Sequence, residues 1–131
     1  LSILIKLGLK QGSVIGFSGN LTRESFSSLA DQFKKGRYGL FTGRGINQDQ
    51  LYVVLTQDCT ISTGKHIEVA QLKQKNIKEL TKSKHLFLGK DYNKLYIQFN
   101  DLYYEVEECL LTKVNSELLT NSIQNNNIEI K

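Results

Sequence analysis

Residues 51–56 read Leu-Tyr-Val-Val-Leu-Thr, an unbroken apolar and β-branched run that stops abruptly at Gln57-Asp58-Cys59. Such a run belongs to the central strand of a sheet rather than to an amphipathic surface element. Shorter strand-like stretches surround it at 14–17, 66–72, 86–88, 95–99 and 102–106. Gly, Asn, Asp and Ser punctuate them at 11–13, 18–20, 62–64, 91–93 and 100–101, which marks turns.

One segment changes period. Phe26, Leu29, Ala30 and Phe33 fall at i, i+3, i+4 and i+7, one face of a helix, with Thr22 as N-cap and Lys34-Lys35-Gly36 closing the far end. Residues 1–9 read as the tail of another helix. Leu110, Leu111, Val114 and Leu118 predict a closing helix. Strands that outnumber helices in this way predict an α+β domain. The architecture expected is a small, partly closed, mainly antiparallel β-barrel or a twisted sheet, with one to three helices.

At 131 residues the chain has room for one domain, expected over 1–120, with an Asn-rich mobile tail over 121–131. Leu, Ile, Val and Phe number 42, about a third of the chain, so a core can form and disorder is excluded. No stretch approaches 18 uncharged apolar residues, so no membrane partner is expected. Residues 1–9 carry Lys6 and no small-residue cleavage site follows, so no signal peptide is read and a cytoplasmic location is expected. A chain that opens Leu1-Ser2-Ile3-Leu4 without methionine is expected to be a trimmed chain or a piece of a longer protein.

Charge is unevenly spread. Residues 1–94 carry 15 basic and 7 acidic side chains, and residues 95–131 carry 2 basic and 6 acidic ones. The cations cluster in two places. Residues 34–45 hold four glycines, four cations and two aromatics, and residues 73–84 hold five lysines against one glutamate. The first reads as a mobile loop or hairpin, the second as an exposed helix or basic loop. Cations contact phosphates, and Tyr38 or Phe41 can stack on unpaired bases. The candidate nucleic-acid-binding residues are therefore Lys34, Lys35, Arg37, Tyr38, Arg44, Lys73, Lys75 and Lys78. The plainer alternative is a solvated loop and a solvated helix face.

Gln57-Asp58-Cys59 is the other conspicuous cluster. Asp58 suits an acid–base group or metal ligand, Cys59 a nucleophile, and His66 or His85 the base it would need. The plainer reading makes Asp58 a turn residue and Cys59 a small buried hydrophobe, a partly buried structural turn. Two cysteines make no disulfide framework. Cys59, His66, His85 and Cys109 have a zinc-like composition, but gaps of 6, 18 and 23 residues lack the closely spaced pairs of zinc modules. Asp58 and Glu68 on neighbouring strands invite comparison with metal-dependent nucleases, yet Ala70 stands where a lysine would help activate water. No metal site and no cofactor is expected.

The succession Gly12-Ser13-Val14-Ile15, Tyr52 through Cys59, and Ile67-Glu68-Val69-Ala70-Gln71-Leu72 resembles uncharacterised bacterial proteins. These end a buried strand in Val-(Ile/Leu)-(Ser/Thr)-Gln-Asp-Cys. His85 to Leu88 and Leu95 to Phe99 fit the same pattern, which covers about 8–111; Thr60 departs from it where an acid is expected. The strand order is more distantly similar to PemK-like toxins, whose resemblance implies an SH3-like barrel and RNA endonuclease activity. The leading expectation is a nucleic-acid-binding small β-domain, part of a larger bacterial or mobile-element protein. The alternatives are a non-catalytic protein-interaction or assembly domain that docks on another chain, and a hydrolase or ribonuclease-like enzyme centred on Asp58 and Cys59.

Overall fold

A computed structural model describes residues 3–38, 45–76 and 95–131, with the backbone alone at Glu108 and Cys109. The expected strand at 86–88 and the candidates Arg44, Lys78, Phe41 and His85 lie outside the described residues, as does the Cys109 side chain. Ten elements follow in order: α1 (Ile3–Lys6), β1 (Val14–Phe17), α2 (Arg23–Lys35), β2 (Leu51–Val54), α3 (Asp58–Thr63), β3 (His66–Lys75), β4 (Leu95–Phe99), β5 (Leu102–Asn115), α4 (Ser116–Gln124) and β6 (Ile128–Ile130). The strands form one antiparallel sheet in the order β4-β5-β3-β2-β1-β6. Among the described residues its outer strands do not meet. The protein is thus α+β with an open twisted sheet, and the barrel alternative does not form.

The central position of β2 follows from its lack of charge, since a strand flanked by β1 and β3 must bury both faces. Alternation then divides the core. Ile15, Phe17, Tyr52, Val54, Ile67, Val69 and Val114 point to the face packed by the helices, against Leu29, Ala30 and Phe33 of α2 and Leu119 of α4. Val14, Val53, Ala70, Leu72, Tyr104 and Val106 occupy the opposite face. The α2 face is the one read from the sequence, and Thr22 caps it by accepting from the Ser25 amide at 3.1 Å.

Four differences from the sequence expectation matter for function. Residues 110–115 are strand, because Leu110, Thr112 and Val114 alternate inward with outward Lys113; the helix begins only at Ser116, capped by Asn115. The described residues hold four helices, one more than the upper end of the expectation. The 121–131 segment is not a mobile tail, since α4 runs to Gln124 and β6 pairs with β1. The turn expected at 62–64 is the end of α3, which Asp58 and Cys59 open. Finally, β3 continues to Lys75, so Lys73 and Lys75 are strand residues rather than part of a helix or loop.

The outer edge of β5 is shared. β4 pairs with its first half, from Leu102 to Val106. Residues 108–110 then fall between the pairs Gln71–Glu107 and Ala70–Leu111, a bulge that bends the strand. Beyond it the Gly36–Tyr38 segment takes the edge, with Lys113 N donating to Gly36 O at 2.9 Å and Tyr38 N to Leu111 O at 3.1 Å.

Candidate nucleic-acid interface

The chain leaving α2 reaches β5 with Lys34 and Lys35 exposed in the last helical turn. The next three residues divide by face. Arg37 lies opposite Thr112 and turns inward, where its guanidinium donates to Gln71 Oε1 at 2.7 Å. Gln71 is fully buried, so its amide needs partners. Its Nε2 donates to Gln50 Oε1 at 3.2 Å, and Gln50 Nε2 donates to the carbonyls of Leu51 and Leu72 at 2.7 and 2.9 Å. Arg37 is thereby engaged in tying loop, strand and helix end together.

Tyr38 takes the opposite face and remains 44% exposed. The Lys113 ammonium lies 5.1 Å from its ring centroid, within range for a cation–π contact. Partial burial, hydrogen bonding to Glu68 and the Glu68 charge all hold the Tyr38 phenol above its ordinary pKa. Glu68 is the cross-strand neighbour of Lys113, and its amide donates to Thr56 Oγ1 at 2.7 Å. One step down the sheet, His66 is exposed opposite Asn115, and the carbonyl of exposed Lys65 accepts from Ser116 N at 2.8 Å. The result is an exposed aromatic with Lys113 at its ring and Glu68 as the acid across from that lysine, while Lys34 and Lys35 precede it in the chain and Lys65 lies near the far end of the β3–β5 pairing. Glu117 stands two residues past Asn115, on the α4 side.

Beside the platform is an open pocket of about 350 Å³ lined by Leu55, Thr56, Gln57, Thr60, His66, Glu68 and Lys113. His66 is therefore at a pocket, but Asp58 and Cys59 do not line it. Asp58 Oδ1 accepts from the Gln11 amide at 2.7 Å, while Gln11 Nε2 donates to Leu55 O at 3.0 Å, which staples the approach to β1 onto the start of α3. The Asp58 carboxylate thus makes a structural bond, and its donor partner is distant in sequence rather than local. Cys59 is exposed, not the buried hydrophobe expected. Its Sγ has a 3.9 Å contact to Thr60 Oγ1, while its carbonyl takes the Ser62 and Thr63 hydroxyls. The structure brings no base to this thiol among the described residues. Nor do three His, Cys, Asp or Glu side chains there stand together to hold a metal ion. Ala70, in the position of the missing lysine, is fully buried.

Lys73 and Lys75 belong elsewhere. They lie five and seven residues beyond Glu68 on β3, about 16–23 Å along the strand at a rise of about 3.3 Å per residue. They stand opposite Glu105 and Tyr103. Of the expected set, Tyr38 is exposed against Lys113, Lys34 and Lys35 are exposed at the end of α2 four and three residues before it, Arg37 turns inward to Gln71, and Lys73 and Lys75 lie farther along β3. Lys113 and Lys65 were missed. Lys113 sits in the acidic C-terminal part of the chain, and only the β3–β5 register reveals its neighbours.

Comparison with family models, with curated proteins and with solved structures finds no match to this chain. No helix among the described residues is long and apolar enough to cross a membrane.

Proposed function

We propose that the domain binds single-stranded nucleic acid through the surface built around Tyr38. The observation that carries this reading is the contact of the exposed Tyr38 ring with the Lys113 ammonium, in a segment that follows directly on the exposed Lys34 and Lys35 at the end of α2. Unpaired bases stack on aromatic rings and their phosphates attract the surrounding lysines, whereas a duplex keeps its base faces hidden. The test is fluorescence anisotropy with single-stranded and duplex oligonucleotides across a salt series. Three or four phosphate contacts give a slope of about −2 to −3 in log K against log salt, at about −0.7 per contact. Tyr38→Ala is expected to weaken binding by about 1–3 kcal/mol. Equal affinity for duplex, or indifference to charge reversal at Lys34 and Lys35, contradicts the proposal.

A second reading, docking on another protein, is favoured by the β4–β5 hairpin, where Leu95 and Leu102 are 55% and 42% exposed and share a face with Ile97 and Phe99. Leu95→Lys with Leu102→Lys separates the two readings, since it should abolish protein docking and leave oligonucleotide binding intact.

A further inference from the structure

On the nucleic-acid reading above, we infer that the pocket beside Tyr38 selects guanine, with Glu68 and Lys113 reading its Watson–Crick edge. The two side chains stand on directly paired residues of β3 and β5 and both line the pocket of about 350 Å³. Such cross-strand neighbours have Cβ atoms about 4.5–5.5 Å apart. Among the described residues no salt bridge joins them, and the Lys113 ammonium rests against the Tyr38 ring instead.

A carboxylate beside an ammonium presents acceptor, acceptor, donor in a row. Guanine presents the complement: the N2 amino group and N1–H donate side by side, and O6 accepts next to them. No other common base matches. Adenine and cytosine each offer one amino group beside a ring nitrogen that accepts, and that nitrogen would face a carboxylate oxygen. Uracil flanks its single N–H with two carbonyls. Glu68 has capacity for this task, because a carboxylate accepts about four hydrogen bonds. Tyr38 is not part of the pocket lining but stands next to it through Lys113, and Gln57 is among the lining residues.

The experiment measures anisotropy at low salt with a ten-residue oligouridine and with versions carrying three central guanosines, inosines or adenosines. Guanosine is expected to tighten binding about tenfold over uridine and adenosine, from the discrimination of a bidentate contact. Inosine, which lacks the N2 amino group, should fall between. Glu68→Gln should erase the guanosine advantage while oligouridine binds as before or a few-fold tighter, a negative charge having been removed. Glu68→Ala, with an unchanged circular dichroism spectrum, should do the same. Equal affinities for all four oligonucleotides, or a guanosine preference that survives Glu68→Gln, overturns guanine selection and leaves the binding surface standing. Failure of every oligonucleotide to bind at low salt overturns both.

Discussion

Gly36→Ala sets two physical effects against each other, and the sign of the outcome decides between them. Gly36 adopts φ −81° and ψ −6°, the right-handed helical region, which alanine also prefers. On local grounds the substitution should stabilise by about 0.4–1 kcal/mol, because it restricts the unfolded chain. A Cβ at this position, however, would be driven into the Lys113 carbonyl oxygen and would stand 3.2 Å from Thr112 Cγ2. The segment must then lift from β5, which releases the Lys113 N to Gly36 O and Tyr38 N to Leu111 O bonds, 2.9 and 3.1 Å long. At about 1 kcal/mol net for each bond, the loss is about 2 kcal/mol and the balance a destabilisation of about 1–1.5 kcal/mol. For a chain of this length that lowers Tm by about 4–7 °C. Urea unfolding and a thermal melt read the effect, and oligonucleotide anisotropy should fall toward that of Tyr38→Ala, since the ring loses its seat. A variant more stable than the parent by several tenths of a kcal/mol would refute the argument, because it would mean that Gly36 does not press on β5.

Three other outcomes follow from the same structure. The Tyr52 hydroxyl is buried near Phe17 and Phe33 with no hydrogen-bond partner among the described residues, so Tyr52→Phe should be neutral or stabilise by up to about 1 kcal/mol in urea unfolding. Burial also holds the Tyr52 phenol well above its ordinary pKa, an effect the Arg37 charge only partly offsets. Above pH about 10 the unfolded chain therefore binds fewer protons at this site than the folded one, and stability should fall with rising pH more steeply in the parent than in Tyr52→Phe. Thr22→Ala removes the α2 cap and should cost about 1 kcal/mol in the same assay. Cys59→Ser should shift stability by less than about 0.5 kcal/mol while Asp58→Ala costs about 1 kcal/mol through the lost Gln11 bond; a larger effect at Cys59 than at Asp58 would reverse their assigned roles.

What the sequence made legible is what local periodicity controls. The α2 face, its Thr22 cap and the buried β2 run are each encoded within a few residues, so they read correctly. Residues 110–118 misled because Leu110, Leu111, Val114 and Leu118 satisfy a helical spacing, while alternation around exposed Lys113 satisfies a strand; the long β3 partner decides between them. The tail misled for a related reason. Asn-rich composition favours loops, but Ile128 is buried and β6 completes the sheet edge on β1. Asp58 and Cys59 stood out because polar residues end an apolar strand, and the cause is a helix start stapled to Gln11, a contact no local pattern displays.

Charge was the least legible property, because antiparallel pairing erases separation along the chain. The basic excess of 1–94 and the acidic excess of 95–131 suggest two poles. Folding lays β3 against β5, so Lys73 faces Glu105 and Glu68 faces Lys113. The lysine-rich end of β3 is thereby set among acids, while the one lysine of β5 is delivered to the basic end of α2. Arg37 is withdrawn as well, since the buried Gln71 amide recruits its guanidinium. Among the described residues, the cation set against Tyr38 is Lys113, with Glu68 as its cross-strand carboxylate. A broad basic face would bind any polyanion. On the reading proposed above, an aromatic ring with a lysine and an adjacent carboxylate gains less from charge alone and more from what the base presents, so base preference rather than affinity is the measurement that bears most directly on that reading.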